Sequence, residues 1–282
     1  MTERASRLPR RPGRRVPVLA VAVGLALCGV LTLVPRPWSA VAGEGRWAGP
    51  AGAWQQVFAD EFDGDTLDRS VWQPDRGGDL PALPFNWTIE GAWFDPSNVT
   101  VADGRLTLTV EREPRSVGEG DYAYSTGMVQ TLPDVRVEPP VYVEASVRMP
   151  SCDGCWPAFW LHPLDRWPPE IDIAEFLEAG SEPRPSFNYI DPAEDRTGPD
   201  MYGDPDVDYR GSFHTYGVLW DGERAVPYLD GVAYEELAAT EDMTDLPMMI
   251  ILNLSLRGGY DLEAGERMDV DWVRVWKPAA GV

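Results

Sequence analysis

Lysine, histidine and cysteine are nearly missing from this chain. Lys277 is the only lysine in 282 residues, and the two histidines, His162 and His214, stand far apart. With three cysteines, Cys28, Cys152 and Cys155, the ligand spacing of a zinc finger does not arise. Long helical periods are missing too, and 27 Pro with 27 Gly would interrupt them. Positive charge is scarce beyond the N-terminus. The formal net charge is −22, yet residues 1–42 hold seven arginines against one acid, Glu3. The rest of the chain has 17 basic and 45 acidic residues, a charge of −28. A field of that sign repels nucleic acid, anionic membranes and polyanionic substrates, and suits a neutral ligand or bound cations.

The N-terminal segment has the layout of an export signal. A basic stretch ends at Arg14 and Arg15, an apolar run covers 16–35, and Ala40-Val41-Ala42 fits a small-residue cleavage site. Residues 1–42 therefore read as a signal peptide of a secreted protein. The alternative is an uncleaved membrane anchor with the domain outside, because roughly 20 apolar residues span a bilayer. Residues 43–53 form a short Gly/Ala-rich connector, and 54–282 read as one domain, expected to be a monomer. After export, Cys152 and Cys155 in CDGC read as a disulfide closing a turn.

Short strand-like runs separated by turns fill the domain. Asp-Gly, which accommodates positive φ between paired strands, occurs five times. Residues 141–149 alternate cleanly: Val141, Val143, Ala145, Val147 and Met149 share one face, expected in a core. Tyr142, Glu144, Ser146 and Arg148 share the other, expected in solvent or a cleft. Many strands at short spacing predict an all-β, antiparallel sandwich.

One strand breaks the pattern. In PPEIDIAEFLE (168–178), Ile171 and Ile173 belong to a core face, and Glu170 and Asp172 to the other. Continued alternation would turn Glu175 inward, and burying a lone carboxylate there is very costly. A one-residue bulge near Ile173–Ala174 removes the conflict and returns Glu175 to the side of Glu170 and Asp172. Three carboxylates on one face repel each other, so their titrations are coupled. A retaining glycosidase needs that arrangement: one carboxylate ionised to attack, another protonated to release the leaving group. Spacing alone equally allows a cation site or a solvated acidic edge.

EIDIAE resembles the Glu-x-Asp-x-x-Glu signature of glycoside hydrolase family 16, in the bulged form of its laminarinase-like members. Segments 58–72, 98–110, 124–131, 156–163, 213–231 and 249–277 resemble further family segments in the same order. The resemblance implies a concanavalin-like β-jelly-roll with a concave substrate cleft. It implies Glu170 as nucleophile, Asp172 as assisting residue and Glu175 as general acid/base, with no cofactor for catalysis. The implied partner is a neutral polysaccharide, foremost β-1,3- or mixed-linkage β-glucan. Galactan- or agar-type cleavage, transglycosylation and non-catalytic carbohydrate binding remain open beside it. Trp156 and Trp160 share strand parity, and with Trp87 and Trp167 they are candidates for stacking on sugar faces. Glu61, Gly104 and Asp271 resemble positions that hold a structural Ca²⁺ in family members. Three departures are visible: no His in 185–192, Ser146 where an Arg is common, and Trp167 only three residues before Glu170. All three are expected near the sugar subsites.

Overall fold

The computed structural model describes residues 49–279, apart from 80, 178–182, 192–195, 198–200 and 239–245. Both readings of segment 1–42, and residues 43–48 of the connector, lie outside the described residues.

Two large antiparallel sheets dominate the described residues, beside two two-stranded ones, of which Ala92–Phe94 with Tyr124–Thr126 is parallel. The larger has nine strands. Its order is Val232–Ala233, Arg224–Leu229, Phe213–Trp220, Val141–Arg148, Arg267–Pro278, Arg105–Thr109 and Val99–Ala102. Trp54–Asp60 also pairs with the long strand Arg267–Pro278, and Leu237–Ala238 with Arg224–Leu229. The smaller sheet has seven strands in the order Arg196–Thr197, Ser186–Ile190, Glu170–Glu175, Cys155–Pro163, Met248–Leu256, Met128–Thr131 and Trp72–Gln73.

Alternation decides what lies between the sheets. Val141, Val143, Ala145 and Val147 of one sheet meet Phe159, Leu161, Ile171, Ile173, Ile250, Leu252 and Leu254 of the other in a single buried cluster. Each Val, Leu, Ile or Phe among them contributes roughly 1.5–3 kcal/mol when fully buried. Asp-Gly closes hairpins where the strands demand it. Asp103 and Gly104 have φ of 52° and 71°, and Asp230 and Gly231 have 50° and 79°. Two successive left-handed residues match the twist of the flanking strands.

Two expectations for the strand Val141–Arg148 need correction. Its outward face is not solvated: Tyr142, Glu144 and Ser146 are buried. Glu144 accepts the indole N–H of Trp276 at 2.8 Å, and burial raises its pKa. Ser146 pairs across the larger sheet with Thr215 and Trp272. It faces away from the core and from the seven-stranded sheet, so it is not near a sugar subsite there. Strand parity gives the face but not the sheet.

Candidate active site

The seven-stranded sheet turns its outer face to a cleft of about 670 Å³. The strand Glu170–Glu175 lies in its floor. Asp172 pairs with Trp160 and Ala174 with Phe159 on the neighbouring strand, so Ile173 is an extra residue without a partner of its own. The pairing on the other side breaks in the same place, between Asp172 and Glu175. That bulge lets Ile171, Ile173, Ala174 and Phe176 all enter the core, while Glu170, Asp172 and Glu175 all line the cleft. Asp172 and Glu175 are only 4% and 8% exposed.

Buried carboxylates need donors. The indole N–H of Trp167 donates to Glu170 Oε2 at 2.6 Å. The indole N–H of Trp156 donates to Glu175 Oε1 at 2.6 Å, and Asn188 Nδ2 donates to Glu175 Oε2 at 3.2 Å. Asn188 stands on the strand where a histidine is absent, and its amide serves the last acid of the trio.

All four tryptophans named from the sequence line the cleft, but they differ. Trp87 and Trp167 are each 53% exposed at its rim. Trp156 is partly exposed. Trp160 is only 6% exposed. Its N–H donates to Asn253 Oδ1 at 2.7 Å, and Phe85 meets its ring edge-on with centroids 4.8 Å apart. It therefore acts more as floor than as stacking platform.

Sequence reasoning missed several cleft residues. Glu90 is buried; its Oε1 accepts from the Asn86 N–H and its Oε2 from Ser255 Oγ, both at 2.5 Å. Burial raises its pKa, against those donors and Arg76. Arg76 stacks over Phe85 and donates to the Leu83 and Pro84 carbonyls. His162 hydrogen-bonds the Pro163 carbonyl. Burial pulls its pKa down to about 4, with Arg76 acting the same way, so it is neutral near pH 7. Asn253, Ser255 and Arg257 reach the cleft from every second position after Met249. That alternation of polar side chains in MIILNLSLR was the signal available for them.

Cys152 and Cys155 are joined by a disulfide in the turn just before Trp156. The turn is anchored by the Arg257 N–H, which donates to the Gly154 carbonyl at 2.8 Å. His214 is structural: its Nδ1 contacts Asp230 Oδ2 at 2.8 Å.

Of the residues suggested for calcium, Glu61 is engaged by an arginine. Both oxygens of Glu61 accept from Arg274, at 2.8 Å each. The guanidinium thus already supplies the positive charge, and it stacks 4.0 Å over Trp272. Asp271 sits where the long strand shifts register. Among the described residues no group of three or more His, Cys, Asp or Glu is placed to hold a metal ion.

Comparison with known proteins adds independent findings. The description "Glycosyl hydrolases family 16" matches residues 90–274. The endo-1,3-1,4-beta-glycanase EglC of Rhizobium meliloti (strain 1021) is 29% identical over 242 residues, covering 78% of this chain and 51% of its own length. Glucan endo-1,3-beta-glucosidase A1 of Niallia circulans is 28% identical over 258 residues, covering 78% of this chain and 37% of its own. The chain thus spans about half the length, or less, of these curated relatives. The solved structure of an endo-beta-1,3-glucanase from Pyrococcus furiosus superposes with a TM-score of 0.67 at 28% identity, covering 81% of this chain and 96% of that one.

Proposed function

This chain belongs to glycosyl hydrolase family 16, and from that membership we propose that it is an endo-acting β-glucanase. It cleaves β-1,3- or mixed-linkage β-glucan and retains configuration at the anomeric carbon. The names of the relatives support the glucan class. The observation that carries the reading is the bulge at Ile173, which sets Glu170, Asp172 and Glu175 in one cleft.

In the first step a Glu170 carboxylate oxygen attacks the anomeric carbon. The bond to the leaving oxygen breaks as that oxygen takes the proton of Glu175, and a glycosyl ester remains on Glu170. In the second step Glu175, now a carboxylate, takes a proton from water. The water oxygen bonds the anomeric carbon, and Glu170 leaves as the carboxylate. Two inversions give retention. Asp172, between the two, keeps their charges coupled. Trp167 and Trp156 each donate to one reacting glutamate, which fixes the carboxylate planes before substrate arrives. The exposed faces of Trp87 and Trp167 take sugar rings. The chemistry needs carboxylates and water alone. Residues 1–42 serve as the export leader, and the enzyme works outside the cell as a monomer.

The test is reducing-sugar release from laminarin, lichenan, agarose, galactan and xyloglucan. Release from laminarin or lichenan that disappears in Glu170→Gln is expected. Activity confined to agarose or galactan, or activity that survives Glu170→Gln, contradicts the proposal.

A further inference from the structure

The strand Met248–Leu256 sends Asn253 and Ser255 into the cleft, and Arg257 continues the same alternation just beyond its end. The guanidinium of Arg257 lies over the ring of Trp156, 5.4 Å from its centroid. Its backbone N–H is held by Gly154. The residue is thus fixed at both ends beside the indole that serves Glu175.

Among the described residues, its side chain donates to no carboxylate and no carbonyl. The charged groups around it are engaged elsewhere. Glu175 holds Trp156 and Asn188, Glu170 holds Trp167, and Glu90 holds Ser255 and the Asn86 backbone. Arg76, the other cation of the cleft, is occupied with Phe85 and two carbonyls. Arg257 therefore presents a forked set of N–H donors and a permanent charge to whatever fills the cleft.

Resting on the glycan-cleaving reading of this cleft, we infer that Arg257 is a specificity residue that recognises an acidic group on the glycan, a carboxylate or a sulfate ester. Neutral hydroxyls are served by single donors and acceptors such as amides and hydroxyls. A guanidinium adds what those lack: charge and bidentate geometry matched to an oxyanion. Residues 43–282 carry −28, so an anionic chain meets a repulsive field unless a cation stands at the point of contact. Arg257 reaches the cleft from just beyond the end of Met248–Leu256, far along the chain from the acidic strand.

The experiment compares wild type, Arg257→Gln and Arg257→Lys on laminarin, lightly carboxymethylated laminarin and lightly sulfated laminarin of matched length. Arg257→Gln should lower kcat/KM on one acidic derivative by at least about tenfold more than on laminarin. Arg257→Lys should fall between, since it keeps charge and loses the fork. The derivative that shows the effect identifies the acid. Equal losses on all three polymers, or none, overturn the inference while leaving the glucanase reading intact. If wild type cleaves none of the three, the activity reading fails separately. The same variants are then compared by retardation in gels containing each polymer. Equal retardation of wild type and Arg257→Gln by both acidic polymers overturns the inference; selective loss of retardation by one of them supports it.

Discussion

The indole N–H of Trp167 donates to Glu170 Oε2 at 2.6 Å from a ring that is itself 53% exposed. A rim residue thus both faces arriving sugar and holds the attacking carboxylate. A donor to the charged form favours that form. Trp167→Phe keeps the ring and loses the donor, so Glu170 should ionise at higher pH. The acidic limb of the kcat/KM–pH profile moves up, and kcat falls about tenfold. An unmoved acidic limb contradicts this role.

Trp156 makes the matching contact with Glu175, and the sign works on the other limb. Glu175 must be protonated for the first step, and losing the donor raises its pKa. Trp156→Phe should therefore extend activity to higher pH, leaving the acidic limb in place. Movement of the same limb in both variants would show that the two indoles do not serve separate acids.

Ile173 is the extra residue of the bulge. Deleting it shortens the segment to Glu-Ile-Asp-Ala-Glu, in which strict alternation keeps Glu175 on the cleft face with Glu170 and Asp172. The deletion protein should therefore still cleave laminarin or lichenan, while melting lower because one fully buried Ile side chain is lost. Adding Glu175→Leu to the deletion should then abolish cleavage. A deletion protein that folds but has no activity would contradict the register.

His162 is held neutral, its pKa moved from 6.5 to about 4, chiefly by burial. Between those values the unfolded chain binds a proton that the folded chain does not, so stability is lost as pH falls. The difference reaches about 3 kcal/mol near pH 4. Relative to His162→Gln, wild type should lose about that much between pH 7 and pH 4 in urea melts. Glu90 and Glu144, whose raised pKa values act in the opposite sense, are present in both proteins and cancel. A pH-independent difference would contradict the burial of a neutral ring.

Glu61 is satisfied by Arg274, and a chelator should leave the melting temperature unchanged. Glu61→Ala should lower stability by about 1 kcal/mol. A melting temperature that rises with added Ca²⁺ and falls with chelator would contradict the pairing.

The acidic strand was legible because regular alternation would have buried Glu175, and only a bulge avoids that. The same reading applied to Asn253, Ser255 and Arg257 would have found the opposite wall, but small polar residues in an apolar run raise no comparable energetic conflict. Trp160 shows another limit. Its parity correctly faces the cleft side, but parity says nothing of Phe85, which arrives from a loop to cover it. Ser146 has the right parity in the wrong sheet. Glu61 meets Arg274 across 213 positions, a separation over which pattern carries no information.

The central claim is that Glu170 and Glu175 act as nucleophile and acid/base in a double displacement. It is tested most directly by the anomer first formed when wild type cleaves laminarin or lichenan, followed by proton NMR before mutarotation. The β anomer should appear first and the α anomer only later; α product in the earliest spectra would contradict the account.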